Sequence, residues 1–172
     1  MTKNKTWTAD RRPITLPLQA KRGSSKTVIG AIGGDPFRFL WIVTNRTNQF
    51  TVLEFLRYFV SQNQNRLSDT VMYTDNCGSH KARLVQAFLR ESNVTMEFMP
   101  AYSSTLSPIE RTWGVFKAQW RKRISQLNVA YNHANMQADV EAVCREVEVT
   151  LTPAMMESAE KYWLRSLDGE LI

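Results

Sequence analysis

The chain has 172 residues, 43% hydrophobic and 22% charged, a globular composition with apolar material for one ordinary domain. No apolar run long enough to span a membrane occurs, and the N-terminal "MTKNKTWTAD" has no apolar signal core, so neither a membrane helix nor secretion is expected. The net charge of +6 conceals a split, +11 over residues 1–138 and −5 over residues 139–172, which suggests a basic body for a polyanionic partner and an acidic, solvating tail. Cys77 and Cys144 are too few for a disulfide framework and fit a reducing compartment.

In chain order, residues 1–25 are polar, basic and Pro-containing and read as an extended arm, which carries Arg11, Arg12, Lys21 and Arg22. "KTVIGAIG" and "FRFLWIVT" read as strands joined by a "GGDP" turn, close enough to form an antiparallel hairpin. Asn48 can cap a helix running to about Gln64 that is apolar nearly all round and therefore well buried. "DTVMYTDN" reads as a short buried strand ending at Asp75. A helix over about Lys81 to Ser92 follows, with Leu84, Val85, Phe88 and Leu89 on one face. "VTMEFMP" is a further strand, stopped by Pro100, and a loop leads to "LSPIERTWGVFK". Met136, Val140, Val143 and Val147 keep helical spacing, and Thr152-Pro153 reads as the cap of a last helix. Strand–helix–strand order implies a parallel portion of sheet covered by helices.

Two carboxylates stand out. Asp75 follows an apolar strand directly, at the carboxyl end where such sheets open into sites, although an Asp-Asn turn is a common alternative. His80 near the next helix start reads as a structural or capping histidine, and Cys77 has no partner at zinc-ligand spacing. Glu110 comes three residues after Ser107, a good N-cap, and two after Pro108, which suits a first helical turn. A capping box or helix-dipole contact accounts for that glutamate on its own. The rest of the helix suggests more. Ile109, Trp113, Phe116, Trp120 and Ile124 form the packing stripe, while Lys117 and Arg121 each lie about 20° from Glu110 around the axis, with Gly114 leaving space between. A carboxylate that holds a metal beside cations that hold phosphates would need this layout.

"YTDNCGSH" followed by "MPAYSSTLSPIERTWGVFK" resembles the second half of the catalytic domain of Asp-Asp-Glu transposases of the Tc/mariner superfamily and its bacterial insertion-sequence relatives. In that family a strand ends in Asp-Asn with a His shortly after, and a later "PYSPxLNPIExxW" segment supplies the Glu. Here 34 residues, 76–109, separate Asp75 from Glu110, the family's typical spacing. Trp7, "SSKTVIGAIGG" and "VTNRTNQFTVLEFL" also look like its second and third strands and first helix, so the likeness covers about residues 7–124.

The resemblance implies an α/β, ribonuclease H-like fold: a mixed sheet with antiparallel first strands, flanked by helices. The expected organisation is a basic arm over 1–25, a partial catalytic domain over 26–125 and a helical extension over 126–172. It further implies metal-dependent DNA cleavage and strand transfer, with Asp75 and Glu110 as catalytic metal ligands for Mg²⁺ or Mn²⁺. Arg11, Arg12, Lys21, Arg22, Lys117 and Arg121 would contact DNA. Expected partners are DNA and a second copy or a full-length transposase, in the nucleus of a eukaryotic host or the cytoplasm of a bacterial one. Two departures stand beside this. Ser107 replaces the family's Asn before Pro-Ile-Glu, a mild change between good caps. The family's first Asp stands on a strand upstream of the position matched by Trp7, and Asp10 and Asp35 are poor substitutes for it. The expectation is therefore a transposase catalytic fragment, first strand missing, with little or no activity alone. The alternatives are a non-catalytic DNA-binding or assembly module, a purely structural domain, and, more remotely, Ser79–His80–Asp75 hydrolysis.

Overall fold

The structure is a computed structural model that describes residues 5–7, 13–15, 25–33, 38–65, 67–100, 107–126 and 133–151. Its strands are β1 (Lys5–Trp7), β2 (Pro13–Thr15), β3 (Thr27–Gly33), β4 (Arg38–Thr44), β5 (Val71–Thr74) and β6 (Thr95–Phe98). Its α-helices are α1 (Gln49–Gln62), α2 (Arg83–Ser92), α3 (Ile109–Gln126) and α4 (Met136–Thr150).

The strands pair two by two: β1 with β2 antiparallel, β3 with β4 antiparallel, and β5 with β6 parallel. The small β1–β2 ribbon falls within the segment expected to be an extended arm. The β3–β4 hairpin follows its alternation of side chains. Val28, Ile32, Phe39, Trp41 and Val43 face one way, into a core with Val140, Val143, Cys144 and Val147 of α4 and with Trp113, Phe116 and Trp120 of α3. Ile29 and Leu40 face the other way, into a core built from Val52, Leu56 and Phe59 of α1 and Val85 and Leu89 of α2. The hairpin is thus the shared wall of two apolar clusters, with α3 and α4 on one side and α1 on the other. Burying both faces of a strand pair in this way removes its apolar surface from water twice over.

Asn48 caps α1 as its sequence predicts: its side chain accepts from the backbone N–H groups of Phe50 and Thr51, and the Thr51 hydroxyl receives the Asn48 N–H, a full capping box. The helix is not buried all round, since Phe50 is 65% exposed on its outer side. α2 begins without a side-chain cap and ends at Asn93, whose left-handed φ of 55° an asparagine tolerates. Its inward face is Val85 and Leu89, and Leu84, expected on that face, points outward.

Among the described residues, β5 and β6 pack into a core cluster on one face. Met72 and Met96 pack into the α1–α2 cluster, whereas Val71 and Tyr73 are 45% and 52% exposed. The expected fully buried strand is therefore half-buried, because an apolar run does not reveal how many of its faces are covered. The acidic α4 is not a detached solvating segment. Its apolar stripe is core, and Asp139 receives two hydrogen bonds from the Arg123 guanidinium of α3, at 2.9 and 3.0 Å. The Thr152-Pro153 cap, and Asp10 and Asp35, lie outside the described residues.

Candidate functional site

Asp75 is the first residue beyond β5, at the carboxyl end of the parallel pair. The strands stay joined one step further, where the Met99 N–H donates to the Thr74 carbonyl at 2.9 Å. The loop is then fastened sideways. Asn76 donates its amide to the Met99 carbonyl, and Lys81 donates to Asn76 Oδ1 at 2.6 Å while its ammonium lies over the Phe98 ring, 5.0 Å from the centroid. These contacts tie residues 75–81 to the end of β6.

The Asp75 carboxylate is 62% exposed and asymmetrically engaged. Oδ1 accepts the Cys77 backbone N–H at 3.0 Å, an Asx turn, and faces His80 Nδ1 at 2.9 Å. Oδ2 has no partner among the described residues. A hard divalent ion favours such an open carboxylate oxygen, so Asp75 suits Mg²⁺ or Mn²⁺ in donor type.

Glu110 lies in the first turn of α3, where its own N–H donates to the Ser107 carbonyl at 3.1 Å. Its side chain is exposed and has no hydrogen-bond or ion-pair partner among the described residues. The helix is held against the hairpin by Trp113, whose ring meets Phe39 edge-on at 5.8 Å and Phe116 at 6.4 Å. Gly30 makes room for this: a Cβ there would come within 2.9 Å of Phe39 Cε2 and 3.2 Å of Trp113 Cη2. Glu110 lies about one turn before Trp113 on the helix so anchored. Lys117 and Arg121 are exposed along the same helix and form no ion pairs among the described residues, as do Arg111 and Lys122.

The loop 101–106 between β6 and α3 lies outside the described residues, as do Arg11, Arg12, Lys21 and Arg22. No group of three His, Cys, Asp or Glu side chains among the described residues is close enough to hold a metal ion. The Ser79–His80–Asp75 triad is not assembled: His80 Nδ1 is turned to Asp75, but the Ser79 hydroxyl meets Cys77 Sγ at 3.2 Å and makes no contact with the imidazole among the described residues. His80 itself, read from sequence as a structural or capping histidine, touches the candidate ligand. The signal lies in the five-residue return through Gly78, which folds the ring back onto the strand end.

A family model described as DDE superfamily endonuclease matches residues 2–129. No curated protein matches the chain. Among solved structures, a chain of the simian T-cell lymphotropic virus intasome in complex with PP2A regulatory subunit B56 gamma aligns at 12% identity with a TM-score of 0.51, over 68% of this chain and 40% of that one. The HTLV-2 integrase catalytic core domain in complex with magnesium aligns at 14% identity and TM-score 0.43, over 75% of this chain and 87% of that one. The Mos1 mariner paired end complex with Mn aligns at 14% identity and TM-score 0.41, over 94% of this chain and 52% of that one. The chain thus spans under half the length of the intasome chain, and the fold is mixed α/β and ribonuclease H-like. None of the described helices is long and apolar enough to cross a membrane.

Proposed function

We propose, since the chain belongs to the DDE superfamily endonuclease family, that Asp75 and Glu110 are two of the carboxylate ligands of a divalent cation used for DNA cleavage and strand transfer, and that α3 presents Lys117 and Arg121 to the DNA backbone. The observation that carries this reading is the pair of unspent carboxylates: Asp75 at the end of β5 with Oδ2 open, and Glu110 exposed in the first turn of a helix whose Trp113 is locked to the hairpin. Carboxylate oxygens are the donors that Mg²⁺ and Mn²⁺ select. When bound, such an ion activates an attacking hydroxyl and stabilises a leaving oxygen. The chain's own contribution is to hold two oxygens at fixed points of a rigid frame and to lead a phosphate backbone towards them.

Asp75 and Glu110 match the family's second and third acidic positions, and among the described residues no group of three His, Cys, Asp or Glu side chains is close enough to hold a metal ion. We expect residues 1–172 by themselves to bind DNA with little or no turnover, and to act with a second copy or a longer transposase chain. The test is supercoiled-plasmid nicking and strand transfer with Mg²⁺ or Mn²⁺, alongside Mn²⁺ binding followed by paramagnetic resonance of the free ion. The expected result is Mn²⁺ binding that Asp75→Ala and Glu110→Ala each abolish, without specific strand cleavage. Binding unchanged in both variants would overturn the shared-ion reading, and cleavage lost on Asp75→Ala would overturn the inactivity of this chain.

A further inference from the structure

We infer that His80 is a positioning residue for Asp75, donating its Nδ1–H to Oδ1 of the carboxylate so that Oδ2 is turned outward to the cation. This rests on Asp75 being a cation ligand, as proposed above.

Both hydrogen bonds to the carboxylate fall on one oxygen: the Cys77 N–H at 3.0 Å and His80 Nδ1 at 2.9 Å both address Oδ1. The neighbouring cation, Lys81, is turned away, engaged by Asn76 Oδ1 and the Phe98 ring. His80 is therefore the side chain that orients Asp75. The residue that carries the imidazole is itself held: its backbone N–H donates to the Cys77 carbonyl at 3.0 Å, its backbone carbonyl accepts Gln86 Nε2 of α2 at 2.9 Å, and its side chain is 19% exposed against 62% for Asp75. A half-buried ring on a tethered main chain thus sets the rotamer of an exposed carboxylate.

The Thr74 hydroxyl also lies 2.9 Å from Nδ1, and that contact alone fits either tautomer. The carboxylate decides between them. A bare Nδ1 would set its lone pair against Oδ1 at 2.9 Å, whereas a protonated Nδ1 gives a charge-assisted hydrogen bond. The proton therefore sits on Nδ1, with the Thr74 oxygen as a second, weaker acceptor. Partners of this kind, which hold a ligating carboxylate, typically change metal affinity by about 10- to 100-fold when removed.

The experiment uses the nitrogen-specific mimicry of amides: an Asn side chain places its NH₂ near the position of His Nδ1, and Gln places it near Nε2. Mn²⁺ binding is measured by paramagnetic resonance on the wild type and on His80→Ala, His80→Gln, His80→Asn and Asp75→Ala, each checked for a native thermal transition. His80→Ala and His80→Gln should weaken Mn²⁺ binding about 10-fold or more, with His80→Asn close to wild type. A merely structural histidine would not separate Asn from Gln in this way. The second readout needs no metal: ring ¹⁵N spectroscopy should show a protonated Nδ1 and a bare Nε2, a tautomer preference that Asp75→Ala weakens. A bare Nδ1, or equal losses in the Asn and Gln variants, overturns the inference. If Asp75→Ala abolishes Mn²⁺ binding while His80→Ala leaves it intact, the positioning role fails and the ligand reading stands. If Asp75→Ala binds as the wild type does, both fail.

Discussion

Thr112 is completely buried, and its Oγ1 finds no hydrogen-bond partner among the described residues. It lies two residues beyond Glu110, on the inner side of α3. A buried hydroxyl without a partner forfeits its hydration for nothing. Thr112→Val keeps the shape and removes the cost, so it should stabilise the fold by about 1 kcal/mol, read as a higher denaturant midpoint at unchanged slope. A loss of stability instead would show that the hydroxyl is satisfied. The other buried oddity is the Cys144 thiol, pushed from its usual 9.0 up to about 12 by burial and, secondarily, by the charge of Glu141. In the unfolded chain this thiol ionises near its ordinary value, while in the folded chain it keeps its proton. The native state then binds more protons between pH 9.0 and about 12, so stability should fall as pH rises through that window. Cys144→Ala should flatten that part of the stability-versus-pH curve.

Among the elements, the hairpin is the most sensitive to volume. A methyl group at Gly30 would meet the Leu40 carbonyl oxygen at 3.0 Å as well as the Phe39 and Trp113 rings. A ring can swing away; a strand carbonyl cannot. Gly30→Ala should therefore destabilise the domain by about 1–3 kcal/mol and loosen α3, seen as a red-shifted, more quenchable Trp113 emission in a variant lacking the other tryptophans. This hairpin was legible in the sequence, because alternating apolar residues around a Gly-Asp-Pro turn admit few other structures. The α1 start was legible for a similar reason: Asn48 precedes an apolar-periodic run. Less was readable where one apolar segment meets two environments. Val71 and Tyr73 share a run with Met72, yet one face of β5 enters a core cluster and the other is about half exposed. Of the candidate site, the resemblance to Asp-Asp-Glu transposases pointed to Asp75 and Glu110, but the His80 contact depends on a backbone turn that periodicity does not encode. Thr112 was hidden because hydroxyl side chains pattern as surface.

At the scale of the whole molecule, charge separates by element. Arg111, Lys117, Arg121 and Lys122 line exposed positions of α3, while Arg123 turns inward to Asp139 and Glu146 of α4, at 2.9 and 3.5 Å. The acidic helix thus neutralises Arg123 of α3, and the other α3 cations form no ion pair among the described residues. Sequence-tolerant DNA binding should follow, weakening steeply with salt as neutralised phosphates release their counterions. Lys117→Ala with Arg121→Ala should reduce the slope of log affinity against log salt by about 2. An unchanged slope would place the DNA surface elsewhere.

The two thiols sit at opposite extremes, Cys77 exposed in the loop that grips Asp75 and Cys144 sealed on the inner face of α4. That contrast makes the native protein a two-channel clock. Under a thiol-reactive dye, Cys77 should label at the pace of a free loop, and slowing by Mn²⁺ would report an ion settling beside Asp75. Cys144 should label only as often as the α3–α4 core opens, so its rate measures the rarest breathing of the fold. Thr112→Val should slow the second channel and leave the first untouched.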